Sequence, residues 1–164
     1  MHRKEYALEL YRQGLAPRVL LSVGRFEIRR FSKMSLPVPL DLLEIAQQVS
    51  PPQRHYFVYF HKHDVAASHI QPGRFGTLTE IASLGRWLRS HPEVRSLLII
   101  SSDTHLRRIR LCSRLLLDPA LEMTFAPAPE PPAESTASFH LASMADDLLE
   151  LFKLSFYWIL LKAR

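Results

Sequence analysis

Four aliphatic residues in unbroken succession, Leu97-Leu98-Ile99-Ile100, run directly into Ser101-Ser102-Asp103-Thr104-His105-Leu106-Arg107-Arg108. A strand without alternation has to be covered on both faces, which is the condition of a parallel sheet flanked by helices. The change to small hydroxyl residues marks the carboxyl end of that strand, and the sequence beyond it reads as a helix from about Thr104 to Leu117. In open α/β sheets ligands collect at such ends, where the helix start offers unbonded backbone N–H groups and the positive end of its dipole. An anion is therefore the first ligand to consider.

The same alternation of strand and helix runs through the chain. Residues 4–14 read as a short amphipathic helix stopped by Gly14. Arg18–Gly24 follows as an apolar run that ends in small residues. Asp41 opens a helix that the pair Pro51-Pro52 closes, because a residue before proline resists the helical conformation. Tyr56–His61 is aromatic and β-branched and reads as a strand. A helix is expected from Thr77 to about Ser90, stopped by Pro92, and a last strand over Leu121–Ala126. Strands alternating with helices predict an α/β domain over residues 1–126, a three-layer Rossmann-like fold with a mainly parallel sheet.

Charge divides the chain. Residues 1–117 hold 18 Lys and Arg against 9 Asp and Glu, whereas residues 118–164 hold 3 against 7. The basic part suits a phosphorylated small molecule or an anionic membrane surface. It lacks the interleaved aromatic platforms of single-strand binders, so nucleic acid is not expected. The single cysteine, Cys112, forms no intrachain disulfide and reads as a small packing residue. No apolar stretch follows the charged residues Met1–Glu5, so the sequence predicts a cytoplasmic protein, with peripheral contact at the inner membrane as an alternative.

Residues 127–140 change to Pro, Ala, Glu, Ser and Thr and read as a linker. Residues 141–164 follow as an apolar C-terminal helix, whose strongly apolar stretch Leu148–Leu161 is interrupted by Glu150 and Lys153 and falls short of the ~20 residues that span a bilayer. It is expected to pack on the domain or to meet a membrane or partner. The second course defines a competing function, a non-catalytic interaction or membrane-surface module.

Three groups of residues invite chemistry. His105 and Arg108 are three apart and share a helix face, which suits joint binding of a phosphate or carboxylate, with His105 the candidate for proton transfer. The same residues also suit a solvated arginine stripe behind a helix-start histidine. Thr77 and Glu80 have the spacing of a capping box, which explains both without a ligand; the competing reading starts this helix at the carboxyl edge of the sheet, with Glu80 available for hydrogen bonding to a sugar or for acid–base work. His61 and His63 would share a face of an extended strand, but no third ligand at suitable spacing completes a metal site. The five glycines compose no P-loop, dinucleotide fingerprint or nucleophile elbow, and no cofactor is assigned. His105 alone gives no nucleophile–base pair, so enzyme activity is left open.

Three of these segments resemble motifs of the YdcF/SanA/ElyC-like proteins, a bacterial family of unknown function linked to cell-envelope biogenesis. Leu20-Leu21-Ser22-Val23-Gly24 is similar to the family's Ser-Gly-Gly strand end, with Val23 in place of the first glycine. Thr77-Leu78-Thr79-Glu80 is similar to its Thr-x-Glu helix start, and Ser101–Arg108 to its Thr-Ser-x-x-His-x-x-Arg motif, with Ile109 where alanine is usual. The resemblance runs from about Arg3 to Ala126. It implies that Gly24, Thr77, Glu80, Ser101, Ser102, His105 and Arg108 line one cleft for an anionic or nucleotide-like ligand. The family also begins with a further strand and a Gly-rich loop, and this sequence opens inside that loop.

Overall fold

The structure is a computed structural model that describes residues 1–71, 73 and 76–129. It divides into two compact units, Met1–Glu80 and the residues from Ile81 onward. The apolar segment 141–164 and the linker from residue 130 lie outside the described residues. Among those described, no helix is long and apolar enough to cross a membrane.

The first unit opens with α1 (His2–Arg12), whose end carries the expected glycine. Gly14 takes φ +74°, and the bonds Leu15 N–H to Leu10 O and Gly14 N–H to Tyr11 O, both 3.0 Å, form the paired closure of a Schellman motif. β1 (Arg18–Gly24), the short helices α2 (Ile28–Phe31) and α3 (Leu42–Gln47), β2 (His55–His61) and β3 (Asp64–His69) follow. Asp41 caps α3 as its sequence position predicts, its carboxylate accepting from Glu44 N–H at 3.0 Å.

β1, β2 and β3 form an antiparallel sheet in chain order. The parallel pairing expected here is absent, and helix length supplies a reason. A crossover helix has to run back along the strand, and seven strand residues cover about 23 Å at ~3.3 Å each. Six helical residues cover about 9 Å at ~1.5 Å each. Neither α2 nor α3 spans β1, so the chain returns beside β1 in the opposite sense. β3 follows through the two-residue turn Lys62-His63, where Lys62 takes the left-handed φ of 53° that such a turn needs. His63 is thus a turn residue, and the extended face it would have shared with His61 does not exist.

Register explains the unit's core. Val23 faces Tyr56, Leu21 faces Val58 and Val19 faces Phe60. Those residues alternate onto one face of the sheet, where Leu8 of α1, Ile28 and Phe31 of α2, and Leu42 and Ala46 of α3 close over them. Each fully buried aliphatic or aromatic side chain contributes about 1.5–3 kcal/mol of transfer free energy. The opposite face carries Ser22, Gly24, His55 and Phe57.

α4 (Gly76–Arg89) leads out of the first unit, and β4 (Ser96–Ser101), α5 (Asp103–Leu116) and β5 (Glu122–Pro127) form the rest of the second. β4 and β5 pair in parallel, Ser96 opposite Glu122 through Ser101 opposite Pro127. Here helix and strand match in length: 14 helical residues cover about 21 Å and six strand residues about 20 Å. Over the described residues the protein is therefore mixed α/β with two sheets, one antiparallel and one parallel.

Candidate functional site

Polar side chains gather at the carboxyl end of β1. Ser22 lies opposite Phe57, so His55, two residues earlier on β2, is its diagonal neighbour on the same face. Ser22 Oγ and His55 Nε2 are 2.9 Å apart. Glu80 completes a triangle, its Oε1 accepting from Ser22 Oγ at 2.9 Å and lying 3.0 Å from His55 Nε2. Burial works against the Glu80 carboxylate, but hydrogen bonding and charge from His55, the Ser22 hydroxyl and the charge of Lys4 more than offset it. Its pKa lies below the ordinary 4.5. An ionised carboxylate only accepts, so the proton in the His55–Glu80 contact sits on Nε2.

That assignment decides what the triangle can do. In a Ser–His–acid triad the serine and the acid occupy opposite ring nitrogens, so that the imidazole passes a proton between them. Here both contact Nε2, which already carries its proton. Ser22 is held by its hydroxyl proton to Glu80 and is not activated by His55. The surface left for a ligand is an acceptor, Glu80 Oε2, which takes no hydrogen bond from any described residue.

A second pair braces the turn beyond β1. Glu27 N–H donates to Gly24 O at 2.9 Å, and Glu27 Oε2 accepts from Gly24 N–H at 3.0 Å. Lys4 Nζ of α1 meets Glu27 Oε1 at 2.6 Å. Burial opposes the Glu27 charge, yet the bonds from Lys4 and Gly24 and the charges of Lys4 and Arg3 hold its pKa below 4.5. Gly24 is not at positive φ. A Cβ there would meet only Glu27 Oε2 at 3.7 Å, so the turn does not demand glycine.

The second unit holds the remaining predicted residues. Ser101 closes β4 at 5% exposure, and Ser102 is the N-cap of α5 without spending its side chain on a capping bond. Arg108 is 7% exposed, and its guanidinium lies 3.3 Å from His105 Nδ1. Arginine has no acceptor, so Nδ1 is the acceptor and His105 carries its proton on Nε2. Arg107, Arg110 and Arg114 are exposed, as a solvated stripe requires, and Arg110 lies over the Phe125 ring at 5.3 Å.

The predicted residues thus fall into two sets, Gly24, Thr77 and Glu80 in the first unit and Ser101, Ser102, His105 and Arg108 in the second. α4 already includes Gly76, so Thr77 lies inside the helix, and Glu80 Oε1 is directed to Ser22 and His55. Ser22, His55, Lys4 and Glu27 are functional candidates that the sequence reading did not single out. The available signal was an outward polar residue in an otherwise apolar strand, Ser22 in β1 and His55 at the head of β2. Among the described residues, no group of three or more His, Cys, Asp or Glu side chains is arranged to hold a metal. A groove of about 360 Å³ lies at the other end of β4, lined by Leu88, Arg89, Arg95, Leu117 and Asp118 among others. It offers no acid–base pair comparable with either set. No family model, curated protein or solved structure matches the chain.

Proposed function

We propose that the chain binds a small anionic, phosphate-bearing ligand at the start of α5. The observation that carries this reading is the buried Arg108 donating to His105 Nδ1 one turn into a helix that begins at the carboxyl end of β4. A guanidinium near the positive end of a helix offers an incoming oxyanion a planar fork of donors beside the helix dipole. The oxyanion would also meet the N-terminal backbone N–H groups and the Ser102 hydroxyl, with His105 beside them. Asp103 in the first turn opposes an anion, but it is exposed and α5 carries four arginines against that one carboxylate.

The motif resemblance to the YdcF/SanA/ElyC-like proteins supports the same residues, and with it comes a place in bacterial cell-envelope chemistry as part of the proposal. The Rossmann-like expectation belongs here as well. Its support is β4–α5–β5, a parallel strand–helix–strand unit of the kind from which that fold is built. Binding, not turnover, is the activity proposed.

The test is calorimetric titration of the full chain with inorganic pyrophosphate at low ionic strength, beside Arg108→Ala, Arg108→Lys and Arg114→Ala. Binding should weaken at least tenfold in Arg108→Ala and partly recover in Arg108→Lys, because lysine restores charge without the planar fork. Arg114→Ala should bind as the parent does. A parent that binds no pyrophosphate, or a folded Arg108→Ala with unchanged affinity, overturns the reading.

A further inference from the structure

Apolar and basic side chains share the groove at the amino end of β4. It holds about 360 Å³, and the half-buried Leu88, Leu116 and Leu121 line it beside the exposed Arg89 and Arg95. Neither guanidinium makes an ion pair with a described residue. The one carboxylate of the lining, Asp118, already engages an oxygen with Ala120 N–H at 2.9 Å. Two unpaired cations beside apolar walls select an occupant that is apolar on one side and acidic along its borders.

We infer that residues 141–152 of this same chain occupy the groove. They belong to the segment outside the described residues, and their sequence carries both halves of the complement. Leu141, Met144, Leu148 and Leu151 recur at intervals of three and four, the apolar stripe of an amphipathic helix. Asp146, Asp147 and Glu150 fall off that stripe, and no Lys or Arg occurs between Pro127 and Phe152. The division of charge along the chain thereby gains a role, an acidic segment set against a basic groove. Reach permits it. β5 ends at Pro127, and Ala128 N–H still bonds Ser101 O at the carboxyl end of the sheet, so the chain has to return along the strands. Residues 128–140 can cover about 43 Å at ~3.3 Å each, roughly twice the 20 Å of a six-residue strand. A tether of this length also holds the segment at an effective concentration of about millimolar, which favours it over a second copy at micromolar protein. The inference goes beyond the anion reading, which uses the opposite end of β4.

The initial rate of chymotrypsin cleavage after Phe152 in the full chain, read by mass spectrometry, tests it. The bond should be protected in the parent, and sodium chloride at about 0.5 M should speed its cleavage several-fold, since the ion pairs lie within reach of water. Arg89→Glu with Arg95→Glu should speed cleavage tenfold or more, and so should Leu148→Asp. Adding Asp146→Lys and Asp147→Lys to the arginine double variant should recover protection, which a merely damaged fold would not do. Both arginines are exposed, so their replacement leaves the core untouched. The inference is overturned if the parent and the arginine double variant are cleaved at the same rate, or if the charge swap recovers nothing. Protection that grows with protein concentration would assign the groove to a second copy, and protection that needs phosphatidylglycerol vesicles would assign the segment to a membrane; either result overturns the inference as well.

Discussion

Replacing Glu80 by Gln preserves the shape of the Ser22–His55–Glu80 triangle and removes its charge. Hydrogen bonds to a charged acceptor contribute about 1.5–3 kcal/mol each when shielded from water. Two meet at Glu80 Oε1, but the side chain keeps 37% of its exposure. Water and screening therefore reduce the charge-dependent part to about 1 kcal/mol at pH 7. The folded pKa of Glu80 lies below its ordinary value of 4.5. Its contribution is thus present above that value and is lost as pH falls through the folded pKa. Urea unfolding followed by circular dichroism should show Glu80→Gln less stable than the parent by about 1 kcal/mol at neutral pH. The gap should close on acidification from about pH 5 to below the folded pKa. Equal stabilities at pH 7, or a gap of constant size across that range, would refute the charged triangle.

Other elements give sharper local tests. Gly14→Ala should cost about 1 kcal/mol in urea unfolding, and the penalty is conformational because a Cβ there meets nothing within 4 Å. Asp41→Ala should cost a similar amount, about 1 kcal/mol, and Asp41→Asn much less, since the asparagine oxygen can still accept from Glu44 N–H. Cys112 is fully buried, and burial pushes its thiol up to about 11 against the opposing charge of Arg108. It should resist a thiol reagent at pH 8 in the native protein and react promptly in urea.

Most elements were legible in the sequence because each had a local cause. Gly14 at positive φ, the Asp41 cap, the unbroken run of β4 and the length of α5 all act within a few residues. Pairing direction was not legible, because alternation of strand and helix leaves it open until the connecting helices are long enough to cross the sheet. The four- and six-residue helices α2 and α3 are too short for that, and their lengths emerge only in the fold. The missed half of the first site follows from the same cause. Ser22 and His55 are 33 residues apart and meet only as diagonal neighbours of an antiparallel register. Glu80 was found by its spacing from Thr77, yet its partners lie across the sheet and not in its own helix. His105 and Arg108 were paired correctly because three residues on a helix is a local distance.

The central claim is that His105 and Arg108 receive an oxyanion at the start of α5, and histidine ring nitrogen spectra read it directly. In the free protein Nδ1 of His105 should be unprotonated and Nε2 protonated, as the Arg108 contact requires. Inorganic pyrophosphate should shift the His105 Nε2–H resonance in a saturable manner in the parent chain. Arg108→Ala should abolish that shift at the same concentrations. A proton found on Nδ1, or a His105 ring that does not respond to pyrophosphate in the parent, would contradict the account.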